Sequence, residues 1–310
     1  MLKRIFYFFT LLLLLALMFC YIYREDIINY VMVNANQNTE VTAPNNNNYK
    51  NDYSFGFVSE TDNFHVKSRQ DILNVIYTVL NNGVENFTFY CDKDYADCTE
   101  EIKNISNDQT LLSTVNNMVS PYNSYKKLYV TINTYGKADI NIEKLYSSDD
   151  ISLNNQKIEE IKNEVIRDNM SDRNKIKAFH DYLVNHVVYD EKRANMIEQG
   201  TDDNPEHSSH KANGPLLEGW ALCSGYSDAM KLYLDQLKIP NYKISNDKHI
   251  WNLVYLDGKW LNIDLTWDDP VTNTGSNLLL HKFFLVTTDD LLKLDKNSHY
   301  FNSEYYPEIK

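Results

Sequence analysis

The chain has 310 residues, 43% of them hydrophobic, which is ample for a sizeable core and more than one structural unit. With 43 Asp and Glu against 30 Lys and Arg, the formal charge of −13 argues against a nucleic-acid partner and against adhesion to anionic lipid by charge. Four cysteines exclude a disulfide scaffold, and no glycine-rich phosphate loop implies a nucleotide or other cofactor.

The chain opens with Lys3 and Arg4, followed by an uncharged apolar run from Ile5 to Tyr23. At a rise of 1.5 Å per residue such a run reaches about 28 Å, enough to cross a bilayer core. A cleaved signal peptide is the rival, but Leu17-Met18-Phe19-Cys20 lacks the small residues of a cleavage site, so residues 1–24 read as an uncleaved anchor. Basic residues before the run and mixed charge after it place the amino terminus in the cytoplasm and the rest outside, as a single-pass protein. Residues 25–54 turn polar and asparagine-rich, with Asn45 to Asn48 in a row. Without apolar periodicity they read as a disordered tether.

Residues 55–150 read as a small accessory α+β unit. A helix capped by Ser68 ends at Asn82-Gly83, a strand covers Asn86 to Cys91, and a second helix runs from about Gln109 to Val119. Two alternating runs, Tyr125 to Tyr135 and Ile140 to Tyr146, flank a turn. Nothing in this unit forms a chemical constellation; it either binds substrate or buttresses the second half of the chain. Cys91 and Cys98, seven apart, form a local disulfide in an oxidising compartment or stay unpaired; a metal pair would need further Cys or His at ligand spacing, and none accompanies them.

Two helices open residues 151–310, about Asn155 to Asp168 and from Ser171 towards Tyr189. His180 in the second reads as structural. The long polar stretch from Glu191 to Gly214 carries His207 and His210 beside acids, but not in the His-Glu-x-x-His pattern of zinc peptidases, so no metal is expected and a lid or substrate-binding edge is.

After Cys223 the apolar residues fall at Tyr226, Ala229, Met230, Tyr233, Leu234 and Leu237, one face of a helix that stops near Lys238 ahead of Pro240. Cys223 then sits in the first turn, where unpaired N–H groups and the helix dipole stabilise a thiolate. Asp257-Gly258 between alternating runs predicts a two-residue hairpin. With Leu256 opposite Lys259, Trp251 lies opposite Asp264 and His249 opposite Thr266, which puts His249 and Asp264 on one face as diagonal neighbours directed at the Cys223 helix. Ile250, Val254, Leu256, Leu261, Ile263, Leu265 and Trp267 then make the opposite, core face. Asp268 and Asp269 lie beyond the paired segment. In the tail, Phe283 to Val286 reads as a strand, and His299 as structural.

Three blocks, Ala221 to Tyr226, His249 to Asn252 and Gly258 to Trp267, resemble the transglutaminase-like superfamily, whose core fold is that of papain-like cysteine proteases. Ala221 departs from the family's usual glycine. The spacing of 26 residues from Cys223 to His249 and 15 more to Asp264 fits the family's bacterial members. The resemblance covers roughly the second half of the chain. It implies an α+β fold with a papain-like, transglutaminase-like core in which a nucleophile helix packs on an antiparallel sheet. It also implies a catalytic set of Cys223, His249 and Asp264 for acyl transfer or hydrolysis at glutamine or peptide amides through a thioester. The oxyanion would take the Cys223 N–H and a second donor, with Trp220 and Tyr189 as candidates. Protein or peptide substrates, among them cell-envelope peptides, are the expected partners. A cysteine peptidase or amidase on envelope peptides is one alternative; a catalytically silent surface-binding domain is another.

Overall fold

The computed structural model describes residues 2–46, 48–204, 206–271 and 278–308. Helix α1, Leu2–Ile22, is apolar from Ile5 onward with its large apolar side chains exposed, and its span Lys3–Ile22 has a mean hydropathy of 2.5, so by length and composition it can cross a membrane. Helix α2, Arg24–Gln37, follows almost without a break, because Tyr23 N–H donates to Phe19 O and Ile27 N–H to Tyr23 O, both at 2.9 Å.

The disordered tether expected over residues 25–54 is therefore part helix and part docked strap. Asn36 Nδ2 donates to Tyr135 O at 2.7 Å, and Gln37 Nε2 to Cys91 O at 3.1 Å. Further on, Asn51 N–H donates to Asn81 Oδ1 and Asn81 Nδ2 returns to Asn51 O, each at 2.9 Å. The buried Asn123 also holds Asn48 O, at 2.8 Å. Amide side chains satisfy this segment's backbone in place of apolar burial, a mode of docking that hydrophobic periodicity does not report. Asn47 of the four-asparagine run lies outside the described residues.

The next layer comprises β1 (His65–Val66), α3 (Arg69–Asn81), β2 (Asn86–Cys91), α4 (Cys98–Asn107), α5 (Gln109–Met118), β3 (Tyr125–Ile132) and β4 (Lys137–Lys144). The strands form a sheet in the order β1-β2-β4-β3. As expected, the Ser68 side chain caps α3 by accepting from Asp71 N–H, and Gly83 closes it at φ 66°. Of the two readings of Cys91 and Cys98 the disulfide is the one present, with the two Cα atoms 5.9 Å apart.

The second half contains α6 (Ser148–Val165), α7 (Asp172–His186), β5 (Val188–Tyr189), α8 (Glu191–Glu198), β6 (Trp220–Ala221), α9 (Cys223–Gln236), β7 (Asn241–Ser245), β8 (Ile250–Leu256), β9 (Lys259–Ile263), α10 (Leu265–Asp268), β10 (Phe284–Val286), α11 (Thr288–Leu294) and α12 (Lys296–His299). Its main sheet runs β10-β9-β8-β7, all antiparallel. The hairpin forms as predicted, from Leu256↔Lys259 to Asn252↔Ile263, with Asp257 and Gly258 at φ 53° and 76°, the left-handed pair that a tight hairpin turn requires.

Both faces of this sheet are buried. Val254, Leu256, Leu261 and Ile263 pack with Tyr226, Ala229, Met230 and Tyr233 of α9. Tyr242, Ile244, Trp251 and Leu253 join the same core as Ile72, Val75 and Val115 of the first layer. Asn117 of α5 also donates to Ser245 of β7 at 2.8 Å. A single apolar core thus crosses the boundary expected at residue 150. The overall class is α+β with one amino-terminal apolar helix.

Two details of the predicted register do not hold. The β8–β9 ladder stops at Asn252↔Ile263, so Trp251 does not pair with Asp264, and His249 lies outside the strand in a turn closed by Asn246 N–H to His249 O at 3.0 Å. The helix bearing Cys223 covers the apolar face, not the face assigned to His249 and Asp264. The reason is that both faces of this sheet are covered, so neither is left as an open polar face; His249 and Asp264 stand beyond the ends of their strands. Trp267, expected in the core, lies past the strand on α10 and is 39% exposed.

Candidate active site

Cys223 opens α9, with Leu222 in extended backbone before it. Gly225, two residues on, is required by contact: a Cβ there would meet Ser209 O at 2.5 Å and Lys211 O at 3.0 Å. The backbone of the stretch from Glu191 to Gly214 therefore runs across the first turn of α9. Leu222 N–H donates to Ser209 O at 2.8 Å, and Ser209 Oγ donates to Asp190 Oδ2 at 2.5 Å. That part of the stretch buttresses the helix start, although a lid was expected; Pro205 within it lies outside the described residues.

The block from His249 to Asn252 divides its work by residue. Asn252 Nδ2 donates to Ser227 O on α9 at 2.9 Å and ties β8 to that helix. Trp251 Nε1 donates to Asn262 Oδ1 at 2.9 Å, which fixes an indole stacked on the His249 ring with centroids 5.6 Å apart. His249, at the strand's entrance, is held by Asn246 Oδ1, which accepts its N–H at 2.9 Å. At the far end of β9, Asp264 leaves the ladder to cap α10, its Oδ1 accepting from Trp267 N–H at 3.2 Å.

These two strand ends meet. His249 Nε2–H donates to Asp264 Oδ2 at 2.5 Å, which leaves Nδ1 as the ring nitrogen for the hydrogen bond with Cys223. Burial by itself would lower the His249 pKa; the Asp264 charge and hydrogen bond, reinforced by Cys223, outweigh it and raise the ring to about 10. Burial likewise opposes the charge on Asp264, yet His249 and then His299 hold its carboxyl well below the usual carboxylate range. The structure thus brings together Cys223, His249 and Asp264, the three residues that the sequence singled out.

Tyr189 joins them through a two-residue parallel ladder, Val188↔Trp220 and Tyr189↔Ala221, that sets β5 beside the approach to Cys223. Burial first, then the charges of Cys223 and Asp190, push the Tyr189 hydroxyl up to about 12, so it stays a proton donor. Trp220 is placed differently. Its Nε1 donates to Glu218 Oε2 at 3.0 Å and its ring is 45% exposed. A groove of about 760 Å³ opens over His249, bordered by Tyr189, Thr266, Trp267, Asp269 and Tyr300. Asp269 accepts a short hydrogen bond from Tyr226 OH, and burial raises its carboxyl to about 6.

His299, read as structural from sequence, lies directly on the site. It is fully buried, and its Nε2–H donates to Asp264 Oδ2 at 2.8 Å. No spacing rule could have found it, because it arrives on a separate one-turn helix 35 residues later. His180 is structural as expected, wedged between Asp268 Oδ2 at 3.2 Å and Asp181 Oδ1 at 3.1 Å. The ligand atoms of His249, Asp264 and His299 lie within 4.8 Å of one another, as do those of His180, Asp181 and His281, which a metal ion could use. Hydrogen bonds through a shared aspartate account for both groups. His207 and His210 instead contact Ser209 and Asp202.

No protein-family model matches the chain, and no curated protein does. A solved structure described as a crystal structure of a TGase is 21% identical over 52% of this chain, with a TM-score of 0.36. The chain spans about half that structure's length, 48%.

Proposed function

We propose that the chain is a membrane-anchored, transglutaminase-like thiol acyltransferase with a papain-like core, in which Cys223 is the nucleophile, His249 the general base and Asp264 the orienting carboxylate. The observation that carries the reading is the meeting of His249 and Asp264 at 2.5 Å beside Cys223, under an open groove. Cys223 Sγ attacks a glutamine or peptide carboxamide carbon while its proton rests on His249, the ring that Asp264 and Cys223 raise to about 10. The tetrahedral oxyanion collapses to a thioester as His249 gives that proton to the departing amine or ammonia. An amine then resolves the thioester by transfer, or water resolves it by hydrolysis.

The oxyanion is held by the Cys223 N–H, at a helix start where no intrahelical acceptor exists, and by Tyr189 OH. The alternative donor, Trp220, has its indole N–H committed to Glu218. Protein or peptide substrates, including envelope peptides, fit an open groove. An outward-facing domain is supported by Lys3 and Arg4 in the first turn of α1 and by the Cys91–Cys98 disulfide, a bond that persists in oxidising compartments.

The test is to incubate the protein with a glutamine-containing peptide, with and without a labelled primary amine, and to map the adduct. Amine incorporation or amide hydrolysis that vanishes in Cys223→Ala supports the reading. Turnover that survives that change, or an absence of any Cys223 adduct with an electrophilic glutamine analogue, ends it. Protease shaving of intact cells should release the domain from α1; protection until lysis would reverse the orientation.

A further inference from the structure

We infer that His299 is a positioning residue of the Cys223–His249–Asp264 site, pinning from a second direction the carboxylate oxygen on which His249 turns. The inference rests on the acyl-transfer reading above and adds a residue to it.

Asp264 Oδ2 accepts from two imidazoles, His249 at 2.5 Å and His299 at 2.8 Å, whose rings stand nearly perpendicular at 88°. Oδ1 accepts from Trp267 N–H at 3.2 Å. Held by His249 alone, Oδ2 could follow the ring as it moves; with His299 and Trp267 N–H on its two oxygens, the carboxylate is fixed and the ring must conform to it. His299 is itself fixed. Its Nδ1–H donates to Asp295 O at 3.0 Å, and the Asp295 side chain caps α12 by accepting from Asn297 and Ser298 N–H. Its ring stacks on Phe283 at 5.4 Å and meets the edge of Trp251 at 5.0 Å, the same indole that stacks on His249.

An aromatic cage of this kind would accept a phenylalanine more cheaply than an imidazole, whose polar nitrogens need partners when buried. An imidazole that points a nitrogen at Asp264 is explained by what that nitrogen holds. The consequence is that the carboxyl-terminal segment, through α12, completes the site built by α9, β8 and β9.

The test uses the full chain with two variants, His299→Phe, which keeps the stacked ring and removes both N–H groups, and His299→Gln, which keeps a donor. His299→Phe should lower kcat by about 10–100-fold, the usual cost of losing an outer partner that orients an imidazole, with KM nearly unchanged. His299→Gln should recover most of it, and melting curves should show both variants folded. An unchanged kcat in folded His299→Phe, or a Gln variant no better than Phe, overturns the inference.

A second readout does not depend on turnover or on either variant folding. Proton NMR of the wild-type chain should show, beside the resonances of the His180 cluster, two strongly downfield imidazole N–H resonances that vanish in Asp264→Asn while those of the His180 cluster stay. Loss of only one resonance in Asp264→Asn overturns the inference. If wild-type protein shows both resonances but transfers no acyl group, the acyl-transfer reading has failed while the geometry stands.

Discussion

At each end of the one-turn helix α10 an aspartate holds buried imidazole. Asp264 at its start takes His249 and His299; Asp268 in its last position takes His180, behind which Asp181 accepts from His281 at 2.6 Å. In both clusters burial opposes the charged imidazole, and in both the carboxylates win and raise it, His249 to about 10 and His180 in the same direction. The residue types and the electrostatics are therefore much alike. What differs is the fourth group. Beside His249 stand the Cys223 sulfur and a groove, whereas both His180 nitrogens are spent on carboxylates, at 3.2 and 3.1 Å, so that ring joins α7 to α10. A perturbed histidine marks a site only when one of its nitrogens is left to face a reacting atom.

The largest expected effect breaks the comparison at Asp264. Asp264→Asn keeps the shape of the cap but removes the charge that orients His249 and supports its protonated form. Turnover should fall by about 10⁴, as loss of the corresponding carboxylate costs in the Ser-His-Asp template, with the circular dichroism spectrum retained. Equal damage to turnover from Asp268→Asn would mean that the two clusters have been assigned the wrong way round.

Next in size is the pH dependence of Cys223 alkylation. A ring whose pKa is raised from 6.5 to about 10 remains protonated up to that pH, so its pairing with Asp264 and Cys223 contributes fully below about 6.5 and is lost as pH rises through about 10. Iodoacetamide rates should accordingly show an alkaline transition near pH 10 that disappears in His249→Ala. A profile identical in wild type and His249→Ala would separate the ring from the sulfur. The Asp268 cluster should leave this profile untouched.

How much of the fold and site was legible in the sequence depends on what each signal reports. Asp257-Gly258 fixed the hairpin register as far as Asn252↔Ile263, because turn chemistry acts locally. The same count extended to His249 and Asp264 passed the ends of the ladder. These two residues nevertheless meet, His249 from the turn ahead of β8 and Asp264 from the cap of α10. The start of α9 at Cys223 was readable from apolar spacing, and its end, expected near Lys238 from Pro240, falls at Gln236. The docked strap of residues 38–53, the buttress at Ser209 and the reach of His299 depend on side chain to backbone bonds between distant segments, which leave no periodic trace. Even the shared core was hidden: Trp251 and Leu253 alternate with Asn252 and Val254 as on any two-faced strand, and nothing local tells that both faces are covered.

A smaller effect tests the strut itself. Asp268 Oδ2 accepts from His180 and Oδ1 from Phe283 N–H at 3.0 Å, all of it buried. An amide in its place must set an NH₂ against one of these donors, leaving a buried polar group unsatisfied at a cost of about 1–3 kcal/mol. Asp268→Asn should therefore lower the midpoint of urea unfolding while Cys223 alkylation in the folded protein keeps its rate. An unchanged midpoint with slowed alkylation would make this cluster part of the reacting site.

The smallest expected effect lies between the clusters, at Asp269. Its carboxyl borders the groove, accepts from Tyr226 OH, and is raised from 3.8 to about 6 because burial outweighs both that bond and the influence of His180. A carboxyl raised in this way binds more protons folded than unfolded between those two values, so stability falls as pH rises through the window and the full cost is present above it. Asp269→Asn removes the charge and keeps an acceptor for Tyr226. It should raise stability near neutral pH by about 1–2 kcal/mol and change it little below pH 4, where the native carboxyl is already protonated. Melting temperatures of wild type and Asp269→Asn measured across pH 4–8 should therefore start together and diverge. Parallel curves would mean that Asp269 keeps its charge in the folded chain, paired as firmly as Asp264, and that the contrast between a site open to the groove and a closed strut has a third member.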